Sequence, residues 1–311
     1  MAANPDRLKY LVGAAVVVMV GVTIVWAWFA WRYYDFHYRP PETPGRDVVF
    51  VITPGETFLQ LAGRLEAQGL IKNRKYFVGM AQDRQLTTQV KAGEFLLSTG
   101  MLPDEVLVRI TTSAGILHRF TVREGLTWWQ TARLAEDAGL CSVADFAAAV
   151  HDKALLERLH IPADSAEGYL FPETYMLSKA LEHGAEDLVE LMVKEFFAQA
   201  REVLGDPLPR PEALHRLVIL ASIVEKETGF GPERPTIAGV YANRLKRPMR
   251  LQADPTVIYG LGPDFDGNLR TKHLEDGSNP YNTYQHDGLP PGPICSPGAL
   301  ALKAAAEPEA S

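Results

Sequence analysis

Hydrophobic positions change character along the chain. From Leu11 to Ala30 they are continuous, LVGAAVVVMVGVTIVWAWFA, with no charged residue among them. As a helix this stretch is about 30 Å long, the thickness of a bilayer's hydrocarbon core. Trp26, Trp28, Trp31, Tyr33 and Tyr34 crowd its far end, as aromatic residues do at a membrane interface. A cleaved leader would carry small residues there. The pattern therefore predicts an uncleaved membrane-spanning helix over 11–31, after a tail of residues 1–10. Arg7 and Lys9 precede the span and Arg32, Arg39 and Arg46 follow it, so the charge bias does not settle its orientation; the short tail favours a cytoplasmic N-terminus.

Beyond the span the pattern turns amphipathic. RPPETPG (39–45) breaks any regular element and marks a linker, placed over 32–46. Asp47–Ile52 reads as a strand and Pro54-Gly55 as a turn. Thr57 is set to cap a helix Phe58–Gln68, whose Leu59, Ala62 and Leu65 share a face. A helix over Arg74–Gln82, a strand Ala92–Leu97 and a helix Pro103–Thr111 follow. This strand–helix–helix–strand order over 47–115 resembles a LysM-like glycan-binding module, with VITPGET (51–57) where such modules carry a Val-x-x-Gly-Asp/Glu-Thr turn. A plain small α+β domain is the alternative. Further on, the periodicity predicts a strand Leu117–Val122, helices over Thr127–Ala138, Ser142–Val150 and Lys153–Leu159, and a long amphipathic helix Ala185–Leu204. No internal repeat is present.

Composition narrows the class. The chain has 311 residues, 47% hydrophobic and 22% charged, with a net charge of −7. That excludes global disorder and a collagen-like chain. The acid excess argues against nucleic acid as a partner, which needs clustered Lys and Arg. Cys141 and Cys295, the only cysteines, form no CxxC or zinc pattern; whether they pair or stay as two thiols is open. No HExxH or ligand-spaced His pair points to a metal, and no phosphate loop or GxSxG elbow is present. No cofactor is expected.

The segment with chemical promise is EALHRLVILASIVEKET (212–228). On a helix at about 100° per residue, Glu227 falls on the apolar stripe of Leu217, Leu220, Ile223 and Val224, whereas Glu225 lies away from it with Val218 and Ser222. The wheel thus predicts a partly buried Glu227. Burial disfavours a charged carboxylate and keeps its proton on near neutrality, as a general acid for a glycosidic bond requires. The plain alternative is a Glu that caps or salt-bridges a helix end.

Three other segments suit a sugar cleft. EGYLFPETYML (167–177) sets two acids, including Glu173, among aromatics. ANRLKRPMRLQADPTVIYG (242–260) places Asn243, Arg244, Gln252 and Asp254 around a turn. NPYNTYQHDGLPPGP (279–293) is long, polar and turn-rich, with Tyr281, Asn282, Thr283 and Tyr284. Unpatterned stretches of this length are binding loops or disordered, and the aromatic content favours binding.

Taken together, LASIVEKET, NRL, MRLQADPTVIYG, YNTY and GLPPGPI resemble the endolytic murein transglycosylases of the YceG-like family, and the likeness extends through EGYLFPETY and the LysM-like segment. The resemblance implies an α+β architecture: one N-terminal transmembrane helix, a small LysM-like module (47–115) and a YceG-like catalytic domain (116–311). It implies anchoring in the inner, cytoplasmic membrane with the body in the periplasm. It also implies a lyase that cuts the β-1,4 bond between N-acetylmuramic acid and N-acetylglucosamine in nascent strands, ending strand elongation. The muramic 6-hydroxyl attacks C1 and leaves a 1,6-anhydro end. The second Glu of EKET, Glu227, takes the catalytic place. Glu173, Asn243, Gln252, Asp254, Tyr281, Asn282 and Tyr284 become substrate-binding candidates, with glycan strands, the bilayer and peptidoglycan synthases as partners. Family members continue past a stretch like ALKAAAEP (301–308) with a strand and a polar tail; this sequence stops at Ser311, so the catalytic domain is expected to lack that strand. A non-catalytic peptidoglycan-binding scaffold and a hydrolytic muramidase remain alternatives.

Overall fold

The computed structural model describes residues 5–178, 184–247 and 249–309. Residues 1–4 of the expected tail and the last two residues of the chain lie outside them. The chain divides into two units, residues 1–117 and 118–311.

The first unit opens with α1 (Pro5–Tyr38). It runs through positions assigned above to a linker, because no proline interrupts it before Pro40. Within it Gly13–Tyr38, 26 residues, is long and apolar enough to cross a membrane. Its last turn joins the unit's core. Phe36 is 1% exposed and lies against Tyr76, while Asp35 pairs with Lys72 at 2.9 Å.

Next come β1 (Asp47–Ile52), α2 (Phe58–Ala67), α3 (Arg74–Asp83), β2 (Gly93–Ser98) and α4 (Pro103–Thr112). β1 and β2 pair antiparallel with Phe50 opposite Phe95. Alternation along both strands turns Phe50, Ile52, Phe95 and Leu97 inward. Thr57 and Gln60 close a capping box on α2, and Asn73 caps α3, which satisfies the first-turn N–H groups and fixes where each helix starts.

The second unit contains β3 (His118–Thr121), α5 (Trp128–Asp137), α6 (Val143–Val150), α7 (Lys153–Arg158), β4 (Thr174–Leu177), α8 (Ala185–Leu204), α9 (Pro211–Glu227), α10 (Arg234–Lys246), α11 (Asp254–Leu261), α12 (Thr271–Leu274) and α13 (Ala299–Ala306). β3 pairs antiparallel with β4, Phe120 opposite Tyr175. β4, α10, α11, α12 and α13 arise from segments in which the hydrophobic pattern alone gave no element.

α9 is the axis of this unit. It packs against α10, α11 and α13, and every residue from Val218 to Glu225 is buried. A helix with one solvated face cannot do that; α9 is enclosed on several sides. One close approach depends on glycine. Gly168 has φ +83°, and a Cβ there would lie 2.5 Å from Pro293 Cβ and 2.8 Å from Val218 Cγ1. Only a residue without a side chain lets EGYLF and GLPPGPI meet over α9.

Candidate active site

The site forms at the C-terminal end of α9. Thr228 ends the helix in an extended conformation, and its hydroxyl donates to Glu233 and accepts the Phe230 N–H. The two carboxylates of EKET then have opposite fates from those the helical wheel assigned. Glu227 is exposed. Glu225 is the buried one, 9% exposed, with Arg234 Nη2 donating to it at 2.6 Å and Gly298 N–H at 3.0 Å. Arg234 also pairs with Glu124 at 3.2 Å. The physical reason is the enclosure of α9: the Val218–Ser222–Glu225 face is covered too, while Glu227 lies past the last covered turn. Burial pushes the Glu225 carboxyl up, against the pull of the Gly298 N–H and the Arg234 guanidinium.

Glu227 has a partner that the sequence did not announce. Tyr241 on α10 donates its hydroxyl to Glu227 Oε1 at 2.6 Å. Burial first, then this bond and the Glu227 charge, raise the Tyr241 phenol. The Arg244 guanidinium stands 6.0 Å from the Tyr241 ring and donates to the Leu251 carbonyl.

From there the expected residues converge. Tyr284 donates to Asp254 Oδ1 at 2.6 Å. That bond, burial, and the charges of Asp254 and Glu227 push its phenol up to about 12. Arg250 Nη1 donates to the Tyr284 carbonyl at 2.6 Å. Buried Thr283 stitches the two segments together: its carbonyl accepts the Gln252 N–H at 3.1 Å and its hydroxyl oxygen the Ala253 N–H at 3.0 Å. Gln252 is exposed and held at φ +52°, a conformation that non-glycine residues rarely adopt and that clusters at functional sites. Asn243 lies half-buried on α10, two residues beyond Tyr241.

Two expected residues have a different geometry. Asn282 is fully buried; its Nδ2 donates to the carbonyls of His273, Leu274 and Asp276, and its Oδ1 accepts the Tyr284 N–H. It shapes the loop that presents Tyr284. Glu173 is exposed at the start of β4, and its carboxylate accepts the Thr174 N–H at 2.7 Å. Cys141 and Cys295 are both free thiols.

A second buried acid also escaped the sequence reading. Glu167, 1% exposed, accepts the Trp128 N–H at 3.1 Å and the Gly168 N–H at 3.3 Å. Burial outweighs these donors and pushes the carboxyl from its ordinary 4.5 up to about 8. Its folded-state value is the higher one, so the stability it contributes is complete below about pH 4.5 and is lost as pH rises toward and through about 8. Glu167→Gln stays neutral throughout. Melting temperature measured across that window should fall less steeply with pH in the variant than in the wild type; identical slopes would contradict the assignment.

Comparison with known proteins places the chain in a family. The sequence model of the YceG-like family matches residues 50–311. A protein of Bacillus subtilis (strain 168) named endolytic murein transglycosylase is 30% identical over 287 residues, 87% of this chain and 79% of that protein. A protein of the same name from Streptococcus pneumoniae serotype 2 is 27% identical over 319 residues; the match takes in 92% of this chain but 57% of that longer relative. The crystal structure of a YceG-like protein from Listeria monocytogenes superposes with a TM-score of 0.55 at 29% identity, covering 85% of this chain and 91% of that one.

Proposed function

Since the chain belongs to the YceG-like family, we propose that it is a peptidoglycan lytic transglycosylase, a lyase, with Glu227 as its catalytic acid and base. The observation that carries this reading is Glu227 itself. It stands exposed at the end of α9, whose residues Val218 to Glu225 are all buried, with the Tyr241 hydroxyl on one carboxylate oxygen. α9 fixes the backbone, Tyr241 fixes Oε1, and the second oxygen is available to a strand lying across the helix end.

One carboxyl suffices for the reaction. Glu227 donates its proton to the glycosidic oxygen as the bond from C1 to that oxygen breaks. The 6-hydroxyl of the same N-acetylmuramic acid attacks C1, and Glu227, now a carboxylate, takes the hydroxyl proton. A bond from C1 to O6 replaces the one lost, the acid is regenerated, and no water is consumed. This departs from the two-carboxylate arrangement of most glycosidases. A bound strand would also cover Glu227 and exclude water from it, which helps retain the anhydro product.

Asp254, joined to Tyr284 by a hydrogen bond, offers acceptor oxygens to sugar hydroxyl and acetamido N–H groups beside Glu227. Gln252 and Asn243 extend that polar wall, Tyr281 adds a ring face, and Glu173 lies farther out. Asn282 acts through Tyr284. Residues 47–115 are proposed as a LysM-like glycan-binding module: the VITPGET turn lines a cavity of about 910 Å³ with Leu59, Gln60 and Arg64. α1 is proposed as an anchor in the inner membrane, with residues 118–311 on the periplasmic side and peptidoglycan synthases as neighbours there.

The test is strand length. Isolated, uncrosslinked glycan strands incubated with the purified protein should shorten from within, giving mid-length fragments. Strands left intact would favour a binding scaffold instead.

A further inference from the structure

Three aromatic side chains from separate segments stand in a row in the second unit. Trp129, in the first turn of α5, lies 4.9 Å from Tyr259, near the end of α11, with the rings inclined at 33°. Tyr259 lies 4.8 Å from Tyr281, in the loop beyond α12, at 54°. All three are half-buried, and Tyr259 and Tyr281 pack against the unit's core, so the row keeps part of its surface in solvent.

The row is propped from behind. The Glu167 carboxyl accepts the N–H of Trp128, the residue beside Trp129, and its charge acts on the Tyr259 phenol. One buried group therefore fixes the first turn of α5 that carries Trp129. Both flanks lead to the end of α9. Lys226 Nζ, next to Glu227, donates to the Gly125 carbonyl at 3.3 Å, four positions before Trp129. Tyr281 lies three positions before Tyr284, whose phenol is within reach of the Glu227 charge.

An enzyme that cuts inside a polymer must hold the strand beyond the cleaved bond. Remote contacts of this kind supply binding energy that is used at the reacting centre. A pyranose presents a face of C–H groups that packs on an aromatic ring, and a ring row recognises such a chain without demanding one orientation of its hydroxyls. We infer that Trp129, Tyr259 and Tyr281 form a stacking subsite for N-acetylhexosamine units of the strand on one side of the scissile bond. The inference rests on the glycan-cleaving reading above.

Binding can be measured without cleavage. The full-length protein in detergent, carrying Glu227→Gln, is titrated calorimetrically with isolated uncrosslinked glycan strands, alone and combined with Trp129→Phe or Trp129→Leu. Leu fills space but offers no ring face; Phe keeps one. The Leu variant should weaken binding about tenfold and the Phe variant only about two- to threefold, with melting temperatures of both near the parent. Unchanged affinity in the Leu variant, equal loss in both variants, or no strand binding by the parent would each overturn the subsite. Ring-dependent binding by a protein whose wild-type form cuts no strand would retire the lytic activity and leave the subsite standing. Normal cleavage with Trp129-independent binding would do the reverse.

Discussion

Replacing Glu227 by Gln is expected to lower the rate of glycan cleavage about a thousandfold, within the range by which a positioned acid and base contributes to catalysis. The amide oxygen can still accept the Tyr241 hydroxyl, so the local geometry has reason to survive. The residue is exposed and takes no part in the core, so stability should shift by no more than about 0.5 kcal/mol. Loss of activity without loss of fold separates a chemical role from a structural one. The measurement is the initial rate of anhydro-end release, compared with the melting temperature of the same preparation. Full activity in the variant would remove Glu227 from the mechanism. The more conservative Glu227→Asp shortens the reach by one methylene and keeps an acid; it should fall between, because its carboxyl no longer meets Tyr241 at the 2.6 Å seen here.

The largest effect on stability is expected at Arg234. Its side chain and that of Glu225 are each 5% exposed and meet at 2.6 Å, and Glu225 is also tied to the N–H of Gly298, the residue preceding α13. Arg234→Met removes the cation and leaves a carboxyl buried among apolar neighbours, a change that costs about 3–5 kcal/mol. Adding Glu225→Gln should recover a large part of that loss, because the stranded charge disappears while the Gly298 N–H keeps an acceptor. The single variant should also lose activity beyond its loss of folded protein, since Glu225 lies two residues from Glu227 and anchors the helix end that aims it. Denaturant unfolding of the wild type, both single variants and the double variant gives the coupling directly. Additive losses would mean that the pair is not a unit.

How much of this could be read in the sequence depended on whether a signal was local. The capping box at Thr57 and Gln60 and the one at Thr127 and Gln130 mark helix starts that the structure has, because a cap is satisfied within four residues. The strand Asp47–Ile52 has the same bounds in both. β4 could not be read: it spans Thr174–Leu177 and exists through its pairing with β3, more than fifty positions away. The assignment of the buried acid failed for a related reason. A helical wheel ranks faces on the assumption that one of them is solvated. α9 has α10, α11 and α13 around it, so the face judged polar from Ser222 and Glu225 is covered, and its charge is met by Arg234. Tyr241 went unnoticed because nothing in its own neighbourhood shows that α10 folds back along α9. Glu167 was visible as an acid among aromatics, but its burial follows from the approach of Gly168 to Pro293, which only the folded chain brings about.

The end of α9 and the loop at Tyr281–Tyr284 gain their meaning from each other. Thr283 fixes the backbone around Gln252, Asn282 fixes the loop that carries Tyr284, and Tyr284 fixes Asp254. These contacts are in place before substrate arrives, which is the preorganisation that transition-state stabilisation needs.

The central claim is that Glu227 directs an intramolecular attack and not an attack by water. The most direct measurement is mass spectrometry of the fragments released from glycan strands in heavy-oxygen water. The account predicts new muramic ends that are anhydro, lighter than hydrolytic ends by the elements of water and free of the heavy label, and absent when Glu227 is Gln. New reducing ends carrying the heavy oxygen would contradict it and make the protein a hydrolase.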